Sequence, residues 1–380
     1  MKRVLSLFFC VCFIFCAFCF SARAVEFKEE LDCRSAILIE ASTMKVLYEK
    51  NADTPYPPAS VTKIMTLLLV AEAIDSGDAK LTDTVTTSDN ASKMGGSQVY
   101  LKAGEQMSMS DMIKSVAVAS ANDCAVALAE HICGSEASFV VRMNERAKEL
   151  GMENTNFENV TGLDDTVKNH VTSARDIAIM SAELLKHEFI FDYTTIWMDT
   201  IRNGAFGLTN TNRLIRFYKG ANGLKTGMTA KAGFCISAAA KRGDMQLIAV
   251  IMGSPTRDIR NAAAAKLLDY GFANYGLYSV KSAELSPVRL TGGVNKELKI
   301  SHGDFSALLP QADIKSVTYE TELPESVSAP VKKGDVIGKI EFFSGGKPIG
   351  QTDIKADDDA PEIKFGEMFI KLLSKFLMIR

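Results

Sequence analysis

The chain has 380 residues, 47% of them hydrophobic and 23% charged, with a formal net charge of −3. Its length suggests two or three domains and its composition an ordinary globular core. The near-neutral balance gives no footing for nucleic-acid binding. His131, His170, His187 and His302 are scattered with no helical metal-ligand spacing, and no C-x-x-C is present, so neither metal nor cofactor is expected.

Met1-Lys2-Arg3 followed by the apolar Val4–Phe20 and by Ala22-Arg23-Ala24 has the order of a secretory leader, and residues 1–24 are expected to be removed on export. The alternative is an uncleaved N-terminal anchor. Four of the eight cysteines would leave with the leader. Cys33, Cys124, Cys133 and Cys235 remain; four cysteines allow three full pairings, and buried free thiols are an equal alternative.

Ala36–Glu40 and Lys45–Tyr48 read as a strand hairpin, which leads through Pro57-Pro58 into Ser60-x-x-Lys63 and the apolar run Ile64–Ile74. Proline cannot sit inside a helix, so a helix is expected to start near Ser60. Positions i and i+3 share a helix face, which puts Lys63 beside the Ser60 hydroxyl, with the Ser60 N–H at the positive helix end. That arrangement suits a serine nucleophile with an adjacent base. The plainer reading is an N-capping serine and a solvated lysine.

Leu81–Thr87 looks extended, and Lys93–Ser97 is a loop by its glycines. Helices are expected at Ser110–Val118 and Ala125–Ile132, with Ser120-Ala121-Asn122 between them, and at Ser138–Leu150 and Ala174–Leu185. The Ser120 hydroxyl suits a proton relay and the Asn122 amide suits holding a substrate carbonyl. Lys225-Thr226-Gly227 precedes the apolar strands Phe234–Ala240 and Met245–Met252. The lysine offers a cation to an anionic group and the threonine a hydroxyl. The glycine clears space for another backbone, and a strand edge there would pair with an extended peptide. A helix over Ala262–Tyr270 is expected to end near Gly271.

After about Val280 short alternating pieces (Val288–Leu290, Leu298–Ile300, Val317–Tyr319, Val336–Phe343) suggest a small all-β domain. The tail places Phe365, Met368, Phe369, Leu372, Leu373, Phe376 and Leu377 three and four apart, with lysines mainly off that stripe. It reads as a helix lying in a membrane surface; the alternative is packing on protein.

Taken together and in this order, Ser60-x-x-Lys63, Ser120-x-Asn122 and Lys225-Thr226-Gly227 resemble the penicillin-binding proteins and serine β-lactamases. Within that superfamily the chain resembles the low-molecular-weight serine-type D-alanyl-D-alanine carboxypeptidases. The resemblance extends through Gly95-Gly96-Ser97, Gly162-Leu163-Asp164, Thr172–Asp176 and Leu267–Phe272 to the small β domain and the tail. It implies an α/β (α+β) catalytic domain, an antiparallel sheet with helices on both faces plus a helical cluster. The implied layout is residues 25–278 catalytic, 279–357 β-rich and 358–380 a membrane-surface helix.

The implied substrate is a peptidoglycan stem peptide ending in D-Ala-D-Ala, the implied inhibitors β-lactams, and the implied location the outer face of the cytoplasmic membrane. The resemblance assigns the oxyanion hole to the N–H groups of Ser60 and Met228. It adds Arg260 to Lys225 and Thr226 as holder of the terminal carboxylate. Two features of class A β-lactamases are missing: the second motif is Ser-Ala-Asn rather than Ser-Asp-Asn, and no E-x-x-L-N loop follows. Met228 stands where some relatives carry histidine. The competing readings are a β-lactamase, a transpeptidase or endopeptidase, and a non-catalytic penicillin-binding sensor.

Overall fold

The computed structural model describes residues 26–165 and 167–376. The expected leader, and Leu377 of the tail stripe, lie outside the described residues. The chain divides into two compact units, one from Glu26 to Ala273 and one beginning at Asn274.

In the first unit the expected hairpin is β1 (Ser35–Glu40) and β2 (Val46–Lys50), with Ala36 opposite Lys50. The Lys225 motif and the sequence after it form β3 (Ala221–Thr229), β4 (Gly233–Arg242) and β5 (Met245–Ser254), with Gly243-Asp244 at the β4–β5 turn. All pairings are antiparallel in the order β2-β1-β5-β4-β3, which leaves β3 at an edge.

The central strands are buried on both faces, so they read as continuous apolar runs. Alternate residues separate to the two sides. Ile37, Ile39, Ile248 and Val250 join the core that also holds the helical cluster. Leu38 and Leu247 point the other way, toward α6 (Arg257–Asn274).

That cluster is α1 (Lys63–Asp75), α2 (Met109–Ala119), α3 (Asn122–Cys133), α4 (Glu136–Glu149) and α5 (Ala174–Leu184). α1 is buried on nearly every side, as a helix apolar all round must be. α2 and α5 start on Ser-x-x-Asp: Ser108 accepts from the Asp111 N–H and Ser173 from the Asp176 N–H.

Several helix boundaries differ from expectation: α3 starts at Asn122 rather than Ala125 and α6 at Arg257 rather than Ala262, and two others bear on the sheet or the site. Gly271 does not stop α6, which continues to Asn274. A Cβ on Gly271 would lie 2.5 Å from Leu247 Cδ1 and 3.2 Å from Leu38 Cδ2. The glycine is there so that the helix can lie close on the sheet, a tertiary requirement that resembles a C-cap in sequence. The other concerns Ser60 and is described with the site.

In the second unit, β6 (Tyr275–Val280) pairs with β9 (Phe305–Pro310). β7 (Ala283–Thr291), β8 (Glu297–His302), β10 (Thr318–Glu322), β11 (Ser326–Ser328), β12 (Val336–Ser344) and β13 (Lys347–Ala356) form one sheet in the order β10-β12-β13-β8-β7-β11. Each expected alternating piece falls in or against a strand. β13 was not foreseen because Pro348 and Gly350 punctuate it; Pro348 sits at its start, opposite Phe343 where the register shifts. The Phe305 and Phe342 rings stack at 4.1 Å in the core.

The tail forms α7 (Phe365–Phe376), on which Phe365, Met368, Phe369, Leu373 and Phe376 are exposed, and so is Ile370, off the expected stripe. Among the described residues no single helix is long and apolar enough to cross a membrane.

Candidate active site

Ser60 lies in a 3-10 turn, Ala59–Thr62, and α1 begins only at Lys63. The helix thus starts three residues later than the prolines suggested. Ala59 bends the chain with a φ of 49°. Lys63 is fully buried, its Nζ 3.0 Å from Ser60 Oγ and donating to the Thr161 carbonyl at 2.9 Å. Burial pushes its pKa well below the usual lysine value; the Lys225 charge pushes the same way, and Asp123 opposes. A lysine held toward its neutral form beside a hydroxyl is equipped to take that hydroxyl's proton.

β3 runs against this turn backbone to backbone. A Cβ on Gly227 would lie 2.7 Å from the Pro58 carbonyl oxygen and 2.9 Å from the Ser60 nitrogen. The close approach expected of that glycine is therefore to the serine turn itself, which brings the backbone of Met228, one residue on, to the same place.

Ser120 ends α2 in the left-handed region, φ 65°. It is the hinge between α2 and α3, and its side chain faces the cleft. Asn122, one residue into α3, is buried: its backbone N–H donates to Ser97 and its Nδ2 to Gly95 O at 2.6 Å. The Oδ1 atom of Asn122 is buried with no partner. Oδ1 is thus free to accept an incoming N–H, while the second N–H of Nδ2 suits the substrate carbonyl that the sequence reading assigned to this amide. Asp123 ties down the neighbouring loop by accepting from the Val99 and Leu101 N–H groups.

A cleft of about 650 Å³ opens over Ser60, with Ser120 on one side and Thr226, Gly227 and Met228 along β3 on the other. Arg257 and Arg260 also reach it. Arg260 is 3% exposed; it donates to the Cys235 carbonyl at 3.2 Å and grips Asn261 Oδ1. Burial lowers its pKa to about 10, so it is charged at neutral pH. Thr226 Oγ1 is 2.8 Å from Thr211 Oγ1.

Lys225 is not on the cleft wall. It lies behind Thr226, 1% exposed, with Nζ on the Thr226 carbonyl at 2.9 Å, and burial followed by the Arg260 charge lowers its pKa to about 7. The free edge of β3 is partly covered: Thr194 Oγ1 donates to the Asn222 carbonyl at 2.6 Å, and Asn212 Nδ2 to the Gly223 carbonyl at 2.9 Å. Beyond these, the strand faces the cleft.

Thr211, Arg213, Trp197, Phe217 and Arg257 also line the cleft and were not foreseen. They reach it from segments with no motif of their own. Among the described residues no group of His, Cys, Asp and Glu has metal-site geometry, and the four cysteines are unpaired.

A Ser–Lys pair at the head of a buried helix, a glycine strand laid against it and a following β unit together mark a low-molecular-weight penicillin-binding protein. Residues 21–256 match the D-alanyl-D-alanine carboxypeptidase peptidase family, and residues 280–362 match the C-terminal domain of penicillin-binding protein 5. D-alanyl-D-alanine carboxypeptidase DacF of Bacillus subtilis is 42% identical over 88% of this chain and 87% of its own. DacC of Escherichia coli is 34% identical over 96% and 93%. Penicillin-binding protein 5 from Haemophilus influenzae superposes with a TM-score of 0.76 at 32% identity, covering 88% of this chain and 99% of that one. Penicillin-binding protein D2 from Listeria monocytogenes, solved in an ampicillin-bound form, gives 0.60 at 31% identity over 65% and 99%. The chain belongs to the D-alanyl-D-alanine carboxypeptidase family.

Proposed function

We infer that this chain is a serine carboxypeptidase that removes the terminal D-alanine from peptidoglycan stem peptides, and that β-lactams acylate the same serine. The observation that carries the reading is the 3.0 Å contact between Ser60 Oγ and a Lys63 that burial drives toward neutrality. Ser60 attacks the carbonyl between the two D-alanines, and Lys63 takes its proton. The N–H groups of Ser60 and Met228 hold the oxyanion, which matches the close packing of β3 on the turn.

Ser120 relays the proton: its hydroxyl gives one to the departing D-alanine amine and takes back from Lys63 the one that came from Ser60. Asn122 orients the peptide through its amide, with Oδ1 accepting an N–H and the second Nδ2 hydrogen donating to a carbonyl. Thr226 and Arg260 meet the terminal carboxylate; a guanidinium suits it through paired N–H donors. Lys225 adds charge from behind the wall, and an arriving carboxylate favours its protonated form. Water then releases the acyl-enzyme.

The leader-like order of residues 1–24 in the sequence and the apolar face of α7 support export and attachment to the outer face of the cytoplasmic membrane. In α7 the exposed Phe365, Phe369 and Phe376 supply apolar area that water penalises.

The test is D-alanine release from a peptide ending in D-alanyl-D-alanine, with and without penicillin, alongside Ser60→Ala. Penicillin-sensitive release that Ser60→Ala abolishes is the expected result. Penicillin labelling without release would move the sensor reading ahead; labelling that survives Ser60→Ala would move the nucleophile elsewhere.

A further inference from the structure

The turn that carries Ser60 has little of its own to hold it. A 3-10 turn has poorer hydrogen-bond geometry than an α-helix, and here the Val61 N–H reaches the Pro58 carbonyl at a long 3.3 Å. The hold comes from outside. Tyr56 exchanges backbone hydrogen bonds with Thr172, and Asn156 with Val171, at 2.9 to 3.0 Å. His170, next to these pairs, therefore projects from a fixed backbone. Its ring is 3% exposed and lies 5.7 Å from the Phe157 ring.

The tautomer follows from the partners. Nδ1 lies 3.0 Å from the Glu158 backbone nitrogen, and a backbone N–H can only donate, so Nδ1 is the acceptor. The ring proton is then on Nε2, which donates to Thr62 Oγ1 at 2.8 Å. Thr62 is fully buried and stands between Ser60 and Lys63. The charged groups acting on the ring are Glu158, Asp164 and Lys63, and burial keeps it neutral, with a pKa of about 4.

We propose that His170 is a positioning residue for the nucleophile: as the Nε2–H tautomer it grips Thr62 and so keeps the Ser60 hydroxyl in line with Lys63. It touches no reacting atom. Its effect passes through Thr62 to the spacing of a pair whose 3.0 Å contact is the core of the acylation step. This rests on Ser60 being the nucleophile.

The experiment measures the second-order rate of acylation by a fluorescent penicillin in the full chain, with thermal melting in parallel. In His170→Gln the amide NH₂ falls near the Nε2 position, so the Thr62 contact is kept; in His170→Asn only the Nδ1 position is mimicked. We expect His170→Gln to acylate within about threefold of wild type and His170→Asn about 10- to 100-fold slower, the scale set by small misplacements of reacting groups. Thr62→Val should match His170→Asn, Thr62→Ser should stay near wild type, and the double variant His170→Asn/Thr62→Val should be no slower than either single one.

Wild-type acylation in His170→Asn, or rates for the two histidine variants that fall together with melting temperature, overturns the proposal. If His170→Asn does not fold, the Thr62 pair decides: equal rates in Thr62→Val and Thr62→Ser overturn it. Labelling that survives Ser60→Ala would instead remove the nucleophile assignment on which the proposal rests.

Discussion

Gly227→Ala tests the packing of strand on turn that builds the oxyanion site. The added methyl would lie 2.7 Å from the Pro58 carbonyl oxygen, 2.9 Å from Ser60 N and 3.0 Å from Val61 N, all of them backbone atoms that cannot rotate away. Reaching an ordinary contact of 3.4 Å requires β3 and the turn to separate by about 0.7 Å. Overpacking of this kind costs about 1–3 kcal/mol of stability, which a core of this size tolerates. The chemical cost is larger. Losing one oxyanion donor lowers rate by about 10²- to 10³-fold, and a 1 Å misplacement by about 10²-fold.

Acylation by a fluorescent penicillin should therefore slow by about 10²-fold in Gly227→Ala while the protein still melts cooperatively. Gly207→Ala is the control: nothing lies within 4 Å of the added methyl, and its rate should not change. If Gly227→Ala acylates within about threefold of wild type, β3 does not supply an oxyanion donor and the catalytic geometry inferred here is wrong.

Three further outcomes are expected. Arg260→Ala should raise KM about 10- to 100-fold for peptides with a free terminal carboxylate, as for loss of a charged hydrogen bond, and leave a carboxylate-free ester nearly unchanged; equal effects on both would remove Arg260 from carboxylate recognition. His170 is held at a pKa of about 4 against an ordinary value of 6.5, so the unfolded chain takes up the proton first. Its contribution is complete above pH 6.5 and falls away between 6.5 and 4, by about 3 kcal/mol, so this acid loss of melting temperature should shrink in His170→Gln. Removing residues 368–380 should free the protein from anionic lipid vesicles without lowering D-alanine release; retained binding would place the membrane contact elsewhere.

The polar core of the site was legible because its chemistry is written in short spacings. Lys63 is three positions after Ser60, and one turn brings them together. The close approach at Gly227 was legible only in part, because a glycine ahead of an apolar run also suits a plain turn, and it is the packing of β3 on the serine turn that decides between them. What could not be read came through tertiary contact. Thr211, Arg213 and Arg257 are ordinary polar residues until Trp197 and Phe217 join them around one cleft. His170 had no metal spacing and no triad motif, and only the fold places it on Thr62. Lys225 shows the limit from the other side: the sequence identified the residue, but its burial, which together with the Arg260 charge lowers its pKa to about 7, comes only with the fold. Gly271 carried the signature of a helix stop, and it was the sheet beneath that needed it.

The half-covered edge of β3 also limits what can associate with it. An open strand edge is a template on which another chain's strand can extend a sheet. Here Thr194 and Asn212 occupy the carbonyls of Asn222 and Gly223, while Thr226 and Gly227 are buried and, with the exposed Met228, form one side of the cleft. A few extended residues can reach it, but a full strand has no room to run on. The feature that admits a peptide end thereby protects the protein from its own aggregation, and it predicts that opening the wall near Asn212 would show first as self-association and only later as lost activity.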